Sequence, residues 1–115
     1  MLACTGGLWQ SGALRGKTAA TFVSTGTQSG GGEAVPFTSI PLFTHHGLLF
    51  VPYGYGSPGL QFDNSKAHGG SPYGAGTLAG ADGSAQPLAE ELDMAKSQGK
   101  YFAEIAKALK VGKSA

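Results

Sequence analysis

The sequence predicts an α/β fold built on a parallel sheet, and three observations carry that expectation. First, TAATFVS at Thr18–Ser24 and LLFVP at Leu48–Pro52 are short, apolar runs, the first of them rich in β-branched residues. They read as buried strands. Second, Glu33 to Thr44 lies between them with Val35, Phe37, Ile40, Leu42 and Phe43 at spacings closer to helical than to alternating. Strand, helix and strand in that order make a βαβ unit, whose crossover is expected to be right-handed. Third, Leu88, Leu92, Ala95, Gly99, Phe102, Ala106 and Leu109 recur at intervals of four and three, the signature of one apolar helical stripe.

Taking the elements in order, Thr18–Ser24 ends in Thr25-Gly26-Thr27 and a glycine run. In the helix that follows, Pro36 suits a first turn, whereas Pro41 strains a helix interior. His45-His46-Gly47 is a natural stop, with Gly47 just past the C-cap. The stretch from Gly54 to Ala85 has no sustained period and exceeds an ordinary loop, which predicts a functional or a disordered segment. In the last helix, Pro87 suits the first position. Glu90 and Glu91 favour the positive end of its dipole, Lys107 and Lys110 the negative end, and Gly112 is the expected stop.

Bulk composition narrows the function classes. The chain has 115 residues, enough for one domain. Its formal net charge is +1, which makes no electrostatic case for nucleic acid or a membrane surface. Cys4 is the single cysteine, so no internal disulfide forms, in keeping with a reducing compartment. The glycine-broken amino terminus does not read as a secretory signal, and no apolar run is long enough for a membrane span. A soluble, cytoplasmic protein is expected. Glycine is the outlier, with 20 residues gathered mainly at Gly26–Gly32, Gly54–Gly59 and Gly69–Gly83.

Open α/β sheets bind ligands beyond the carboxyl ends of their strands. STGTQSGGGE follows the first strand and YGYGSPG the second, so two glycine-rich loops are expected side by side at that edge. Neither matches a Walker or a dinucleotide fingerprint. His45 and His46, adjacent on a helix, point about 100° apart and are ill-placed to chelate one metal. A helix-terminus role and a ligand contact both remain open for them. Trp9 reads equally as a packing anchor or a stacking surface, and Tyr53, Tyr55 and Tyr73 read as loop anchors. Cys4 has no base nearby, and no Ser-His-Asp order or carboxylate pair stands out, so no catalytic side chain is assigned.

The order TGGLWQSGALRGK, VSTGT with its glycine run, THHG, VPYGY and HGGSPYGAGTLAGADGSAQP resembles one family. These are the WrbA-like, type IV NAD(P)H:quinone oxidoreductases, flavodoxin-fold FMN enzymes whose fungal flavodoxin-like members look most similar. The resemblance runs from about Thr5 to Ala108 and is to the carboxyl-terminal part of that family. It implies strands 4 and 5 of a flavodoxin-like parallel sheet, with the crossover helix, the long glycine-rich loop and the final helix. Residues 1–115 would be the carboxyl-terminal half. The amino-terminal half, including the FMN phosphate loop and strand 3, which would pair beside Thr18–Ser24, has no counterpart.

By the same resemblance, Ser24, Thr25, Gly26, Thr27, Gln28 and Ser29 match the loop that wraps the FMN ring, with the glycine run displaced to QSGGGE. His45 matches a histidine that reaches a flavin in the family's tetramer. Trp9 and Tyr55 match substrate-side aromatics, Trp9 across a subunit boundary. FMN, NAD(P)H as co-substrate, a quinone acceptor, a ping-pong cycle and a homo-oligomer, dimer or tetramer, are what the resemblance implies; no metal is. A non-catalytic fragment that assembles with full-length paralogues is the alternative of another class.

Overall fold

The computed structural model describes residues 2–114. A 3₁₀ turn at Leu2–Thr5 leads into α1 (Gly6–Gln10). Then come β1 (Thr18–Ala19), β2 (Val23–Thr25), α2 (Ala34–His45), β3 (Leu49–Phe50), α3 (Pro58–Gln61), β4 (Gly76–Leu78) and α4 (Ala89–Ser114). The architecture is mixed α/β with two short parallel strand pairs, compatible with part of a flavodoxin-like sheet.

The first expected strand is two strands on one stretch of chain, and it changes partner half-way. Thr18 and Ala19 pair in parallel with Leu49 and Phe50, while Val23, Ser24 and Thr25 pair in parallel with Gly76, Thr77 and Leu78. The residues between β3 and β4 form an excursion that leaves the ladder and returns to it. Its stems are clamped where the Tyr53 and Gly54 N–H groups both donate to the Pro72 carbonyl. At the switch, the Gln98 side chain replaces a rung. Its Nε2 donates to the Thr21 carbonyl at 2.8 Å, and its Oε1 accepts from the Ala75 N–H at 2.7 Å. Gly74 is required there, because a Cβ would sit 2.0 Å from the Thr21 oxygen.

All the ladder bonds of Thr18–Thr25 fall on its odd-numbered residues. Leu49 and Val51 donate to the Lys17 and Ala19 carbonyls, Val23 donates to Ala75, and Ala79 donates to Thr25. Alternate residues of a parallel strand bond to opposite edges. The backbone of Thr18, Ala20, Phe22 and Ser24 therefore faces an edge that no strand occupies among the described residues.

One helix covers each face of this sheet. On one, Phe43 of α2 stacks on Phe50 and Phe37 meets Tyr73 edge-on. Helix α2 runs through Pro41, whose missing N–H leaves one ladder bond unmade. It stops as expected: Gly47 takes φ +68°, its N–H donates to Thr44, and the Leu48 N–H donates to Phe43. Those two bonds are a Schellman motif.

The final helix corrects three expectations. It begins at Ala89, so Pro87 lies before the cap and not at the first helical position, and it runs through Gly112 to Ser114. The glycine is a tolerated interior residue there, since a stop needs a following αL turn that this chain does not make. More consequentially, the buried face of α4 is Glu91, Met94 and Gln98. Leu92, Ala95 and Gly99 of the apolar stripe are exposed, and Phe102, Ala106 and Leu109 are half-buried. Met94 packs with Tyr53, Leu60 and Ala75 in a small core. The Tyr53 hydroxyl bonds to Ser57 at 2.7 Å and to Ser97 at 3.0 Å.

Glu91 is 3% exposed. Its Oε1 accepts from the Gly69 N–H at 2.7 Å. Its Oε2 accepts from the Thr77 hydroxyl at 2.6 Å and from the Leu88 N–H at 2.9 Å. The bond to Leu88 is the backward half of a capping box, with Glu91 at N3. All three partners are donors, as a carboxylate requires. The stretch Gly54–Ala85, expected to be functional or disordered, is ordered by these contacts.

Hydrogen bonds to charged groups contribute about 1.5–3 kcal/mol each, and a buried donor left alone costs comparably. Glu91→Ala is therefore expected to lower the unfolding free energy by at least about 3 kcal/mol in urea titrations followed by circular dichroism. A loss below about 1 kcal/mol would show that the carboxylate does not hold the loop, strand and helix together. Gly74→Ala is expected to lose the cooperative transition altogether, since Cβ and the Thr21 oxygen cannot share that space.

Candidate functional site

The carboxyl end of β2 opens into the loop Gly26–Glu33 before α2 begins. Within it, the Thr25 hydroxyl donates to the Thr27 carbonyl at 2.9 Å, the Gly30 N–H donates to the same carbonyl, and Gly31 takes φ +99°. These bonds curl the chain back toward the helix. Ser24 and Gly26 to Ser29 are exposed and Thr25 is half-buried. Among the described residues, no protein acceptor takes the N–H groups of Gly26, Thr27, Gln28 and Ser29. Four consecutive backbone donors thus stand free at the end of a parallel strand, an arrangement suited to an electron-rich edge of a planar ligand.

Beside this loop lies a cavity of about 360 Å³. Thr25, Gln28 and Ser29 line it from the loop, Gly69 to Ser71 from the excursion, and Thr77 from β4. Neither Lys nor Arg lines it, and Glu33 does. The loop was legible in the sequence, and the excursion wall was not. His68-Gly69-Gly70 carries the only hint: a Cβ on Gly69 would lie 2.4 Å from the backbone of β4, so the approach of two chains is what those glycines permit.

The second glycine-rich loop is not where the sequence placed it. Because β3 pairs with the first half of the long strand, YGYGSPG leaves the sheet half-way along it. The chain beside STGT is the turn after β4. The Ala79 N–H donates to Thr25 at 2.7 Å, and a Cβ on Gly26 would rest 3.5 Å from the Gly80 carbonyl. In that turn the Ser84 amide and then its hydroxyl bond to the Asp82 carboxylate and hold its pKa below the ordinary aspartate value.

The remaining candidates sit elsewhere in one copy of the chain. His45 is exposed in the last turn of α2, about 16 Å along the helix from the loop at its start. Its neighbour His46 is buried and its Nε2 lies 3.0 Å from the Thr5 hydroxyl, while Nδ1 finds no partner. The pair therefore divides its roles, one ring packing the amino-terminal turn and one facing solvent. Trp9 is 59% exposed on α1. Tyr55 is 61% exposed and stacks on Phe62 with ring centres 5.4 Å apart. A rigid turn carries that pair, since the Gln61 amide links the Ser57 N–H to the Gly54 carbonyl. Among the described residues no group of three or more His, Cys, Asp or Glu could hold a metal, and no helix is long and apolar enough to cross a membrane.

Asp82 gives the turn after β4 a pH dependence with a defined sign. Its pKa is depressed on folding, so the ordering it provides is complete above the free aspartate range near 3.9 and is lost as pH falls through the lower folded-state range. Ser84 amide exchange and chemical shift, followed by NMR from pH 6 down, are expected to stay constant to about pH 4 and change only below it. Asp82→Asn should abolish that acid-side step.

No family model matches the chain. The chain is similar to "Quinone-oxidoreductase QR2" of Triphysaria versicolor, with 55% identity over 106 residues, covering 92% of this chain and 52% of that protein. The chain spans about half the length of that relative.

Proposed function

We propose that this chain carries the ring-facing part of an FMN-dependent, WrbA-like NAD(P)H:quinone oxidoreductase. The similarity to a quinone oxidoreductase over nearly the whole chain carries the reading. The free donors of Gly26 to Ser29 at the end of a parallel strand supply its physical basis. FMN, when bound, supplies the centre that takes a hydride from NAD(P)H and passes two electrons to a quinone.

The chain's own contribution is binding and electrostatics. The Gly26–Ser29 N–H groups would hold the electron-rich edge of the flavin ring, and fixed backbone dipoles there would need no reorganisation. Ser24 and Thr25 fix the start of the loop on the ladder, and the loop's hydrogen bonds set its curvature. Neither Lys nor Arg lines the cavity or the loop, and His68, which lines the cavity, has its ring nitrogens engaged by the Gly69 and Asp63 carbonyls, so the lining suits the ring of FMN and offers its phosphate no free cation. In a homo-oligomer, His45 from another copy would border the ring, and Trp9 from another copy, with Tyr55, would border the substrate. NAD(P)H and the quinone would occupy that face in turn, in a ping-pong cycle, within the cytoplasm.

Titration of ¹⁵N-labelled chain with FMN, and separately with riboflavin, tests this. The largest amide shifts are expected on Gly26 to Ser29, with affinities within about threefold of each other because the phosphate gains no charge-assisted bond. Shifts confined to other residues, or none at millimolar flavin, would remove the basis for the assignment. In an assembled enzyme with NAD(P)H:quinone activity, His45→Ala and Trp9→Ala are expected to slow turnover at saturating FMN while leaving flavin affinity nearly unchanged. Turnover restored by added FMN would contradict those roles.

A further inference from the structure

Behind the wall of the candidate site stands a charge held by dipoles alone. Glu91 is 3% exposed, and its three hydrogen-bond partners are the Gly69 N–H, the Thr77 hydroxyl and the Leu88 N–H. All three are neutral donors, and no acceptor is among them to take a carboxylic proton. Among the described residues the ion pairs are Lys66–Glu90 and Lys96–Asp93, and neither uses Glu91. Buried charges are as a rule paired with a counter-charge. The burial of this one closes it to direct contact with whatever else packs against the sheet.

Two of its partners belong to the cavity. Gly69 and Thr77 line it and bond to the carboxylate directly, at 2.7 and 2.6 Å. The charge therefore stands one residue behind the cavity wall. From the loop side, the cavity meets the free N–H groups of Gln28 and Ser29. A ligand there would feel partial positive charge from the loop and a full negative charge from behind the excursion and β4.

We propose that Glu91 lowers the reduction potential of the flavin held at this site, an inference that rests on reading the cavity as the flavin-ring site. Hydride transfer from NAD(P)H to the neutral ring adds two electrons and one proton, so the ring gains one negative charge. The loop's donors favour that charge, and the Glu91 carboxylate opposes it. Two unit charges about 12 Å apart, at an effective dielectric of about 20, alter an equilibrium constant about tenfold. Salt screens a buried charge weakly. The opposition has a use. A ring stabilised by the loop's donors alone would give its electrons to a quinone with less driving force. Glu91 acts through the wall and does not touch the ring.

Affinities of the 115-residue chain for riboflavin in its oxidised and reduced forms, measured anaerobically by calorimetry, test the proposal. The ratio of the two affinities fixes the shift in potential. A merely structural loosening of the wall weakens both alike and leaves the ratio unchanged. Glu91→Gln removes the charge and is expected to raise affinity for the reduced form relative to the oxidised about tenfold, equivalent to about 30 mV for a two-electron couple. Glu91→Asp disturbs the same bonds but keeps the charge, and the ratio is expected to stay within about twofold of wild type. Ala95→Lys covers the case in which Glu91→Gln does not fold. Ala95 lies one turn along α4 and lines the same cleft as Glu91, so a lysine there offsets the charge with all three bonds kept and shifts the ratio in the same direction. An unchanged ratio in Glu91→Gln, or in Ala95→Lys where only that variant folds, overturns the proposal and leaves the flavin site standing. So does an equal shift in Glu91→Asp. A wild-type chain that binds riboflavin in neither form removes the site and the proposal together.

Discussion

Three segments, a loop, a strand and a helix start, meet on the carboxylate of Glu91. One oxygen takes the Gly69 N–H from the excursion, and the other takes the Thr77 hydroxyl from β4 and the Leu88 N–H from the start of α4. Strand β4 is only Gly-Thr-Leu, with little side chain of its own to bury. Its place beside β2 is therefore fixed largely from α4. Glu91 holds one end, Met94 fills the middle, and Gln98 completes the ladder at the other end. The helix N-terminus, the strand and the loop share one anchor, so they are expected to form and to melt together.

This dependence also explains which parts of the fold the sequence disclosed. Helix α2 and its stop were legible because their determinants are local: an apolar face, then Gly47 where a positive φ is needed. The two apolar runs were legible as strands from their residue types, but the burial expected of them was not found: Phe22 and Leu49 are exposed, and only Val51 of the two runs is buried. The change of partner at Thr21 was not legible, because nothing within Thr18–Ser24 differs between its halves. Strand β4 was hidden in a glycine-rich stretch that has no period. The α4 stripe was read as core because hydropathy ranks Leu92 above Glu91. That ranking holds for a side chain in isolation. It reverses when a loop and a strand from elsewhere supply two donors to the carboxylate and the helix start a third, while the leucine stays exposed.

The candidate site shows the same division. Ser24 to Ser29 could be found in the sequence because a glycine-rich loop at a strand's carboxyl end has a general meaning. Its neighbours could not, because they depend on where β3 stops pairing. Once β4 takes over the ladder, Ala79 and Gly80 become the loop's companions, and Tyr55 is carried off on a separate turn with Phe62. The histidines divide by geometry too: consecutive positions at a helix end face different surroundings, so His46 is enclosed beside Thr5 while His45 is left outward.

The clamp at Pro72 has a consequence for how the chain tolerates change. Two adjacent N–H groups, from Tyr53 and Gly54, converge on a single carbonyl at the base of the excursion. The segment is thereby closed on itself before it rejoins the sheet, like a side loop tied off from a rope. Residues added or removed near its tip alter only the enclosed length and leave the strand register on either side untouched. Such a segment is free to diverge in size while the ladder it interrupts stays constant, provided that Gly74 and Gln98 still close the seam.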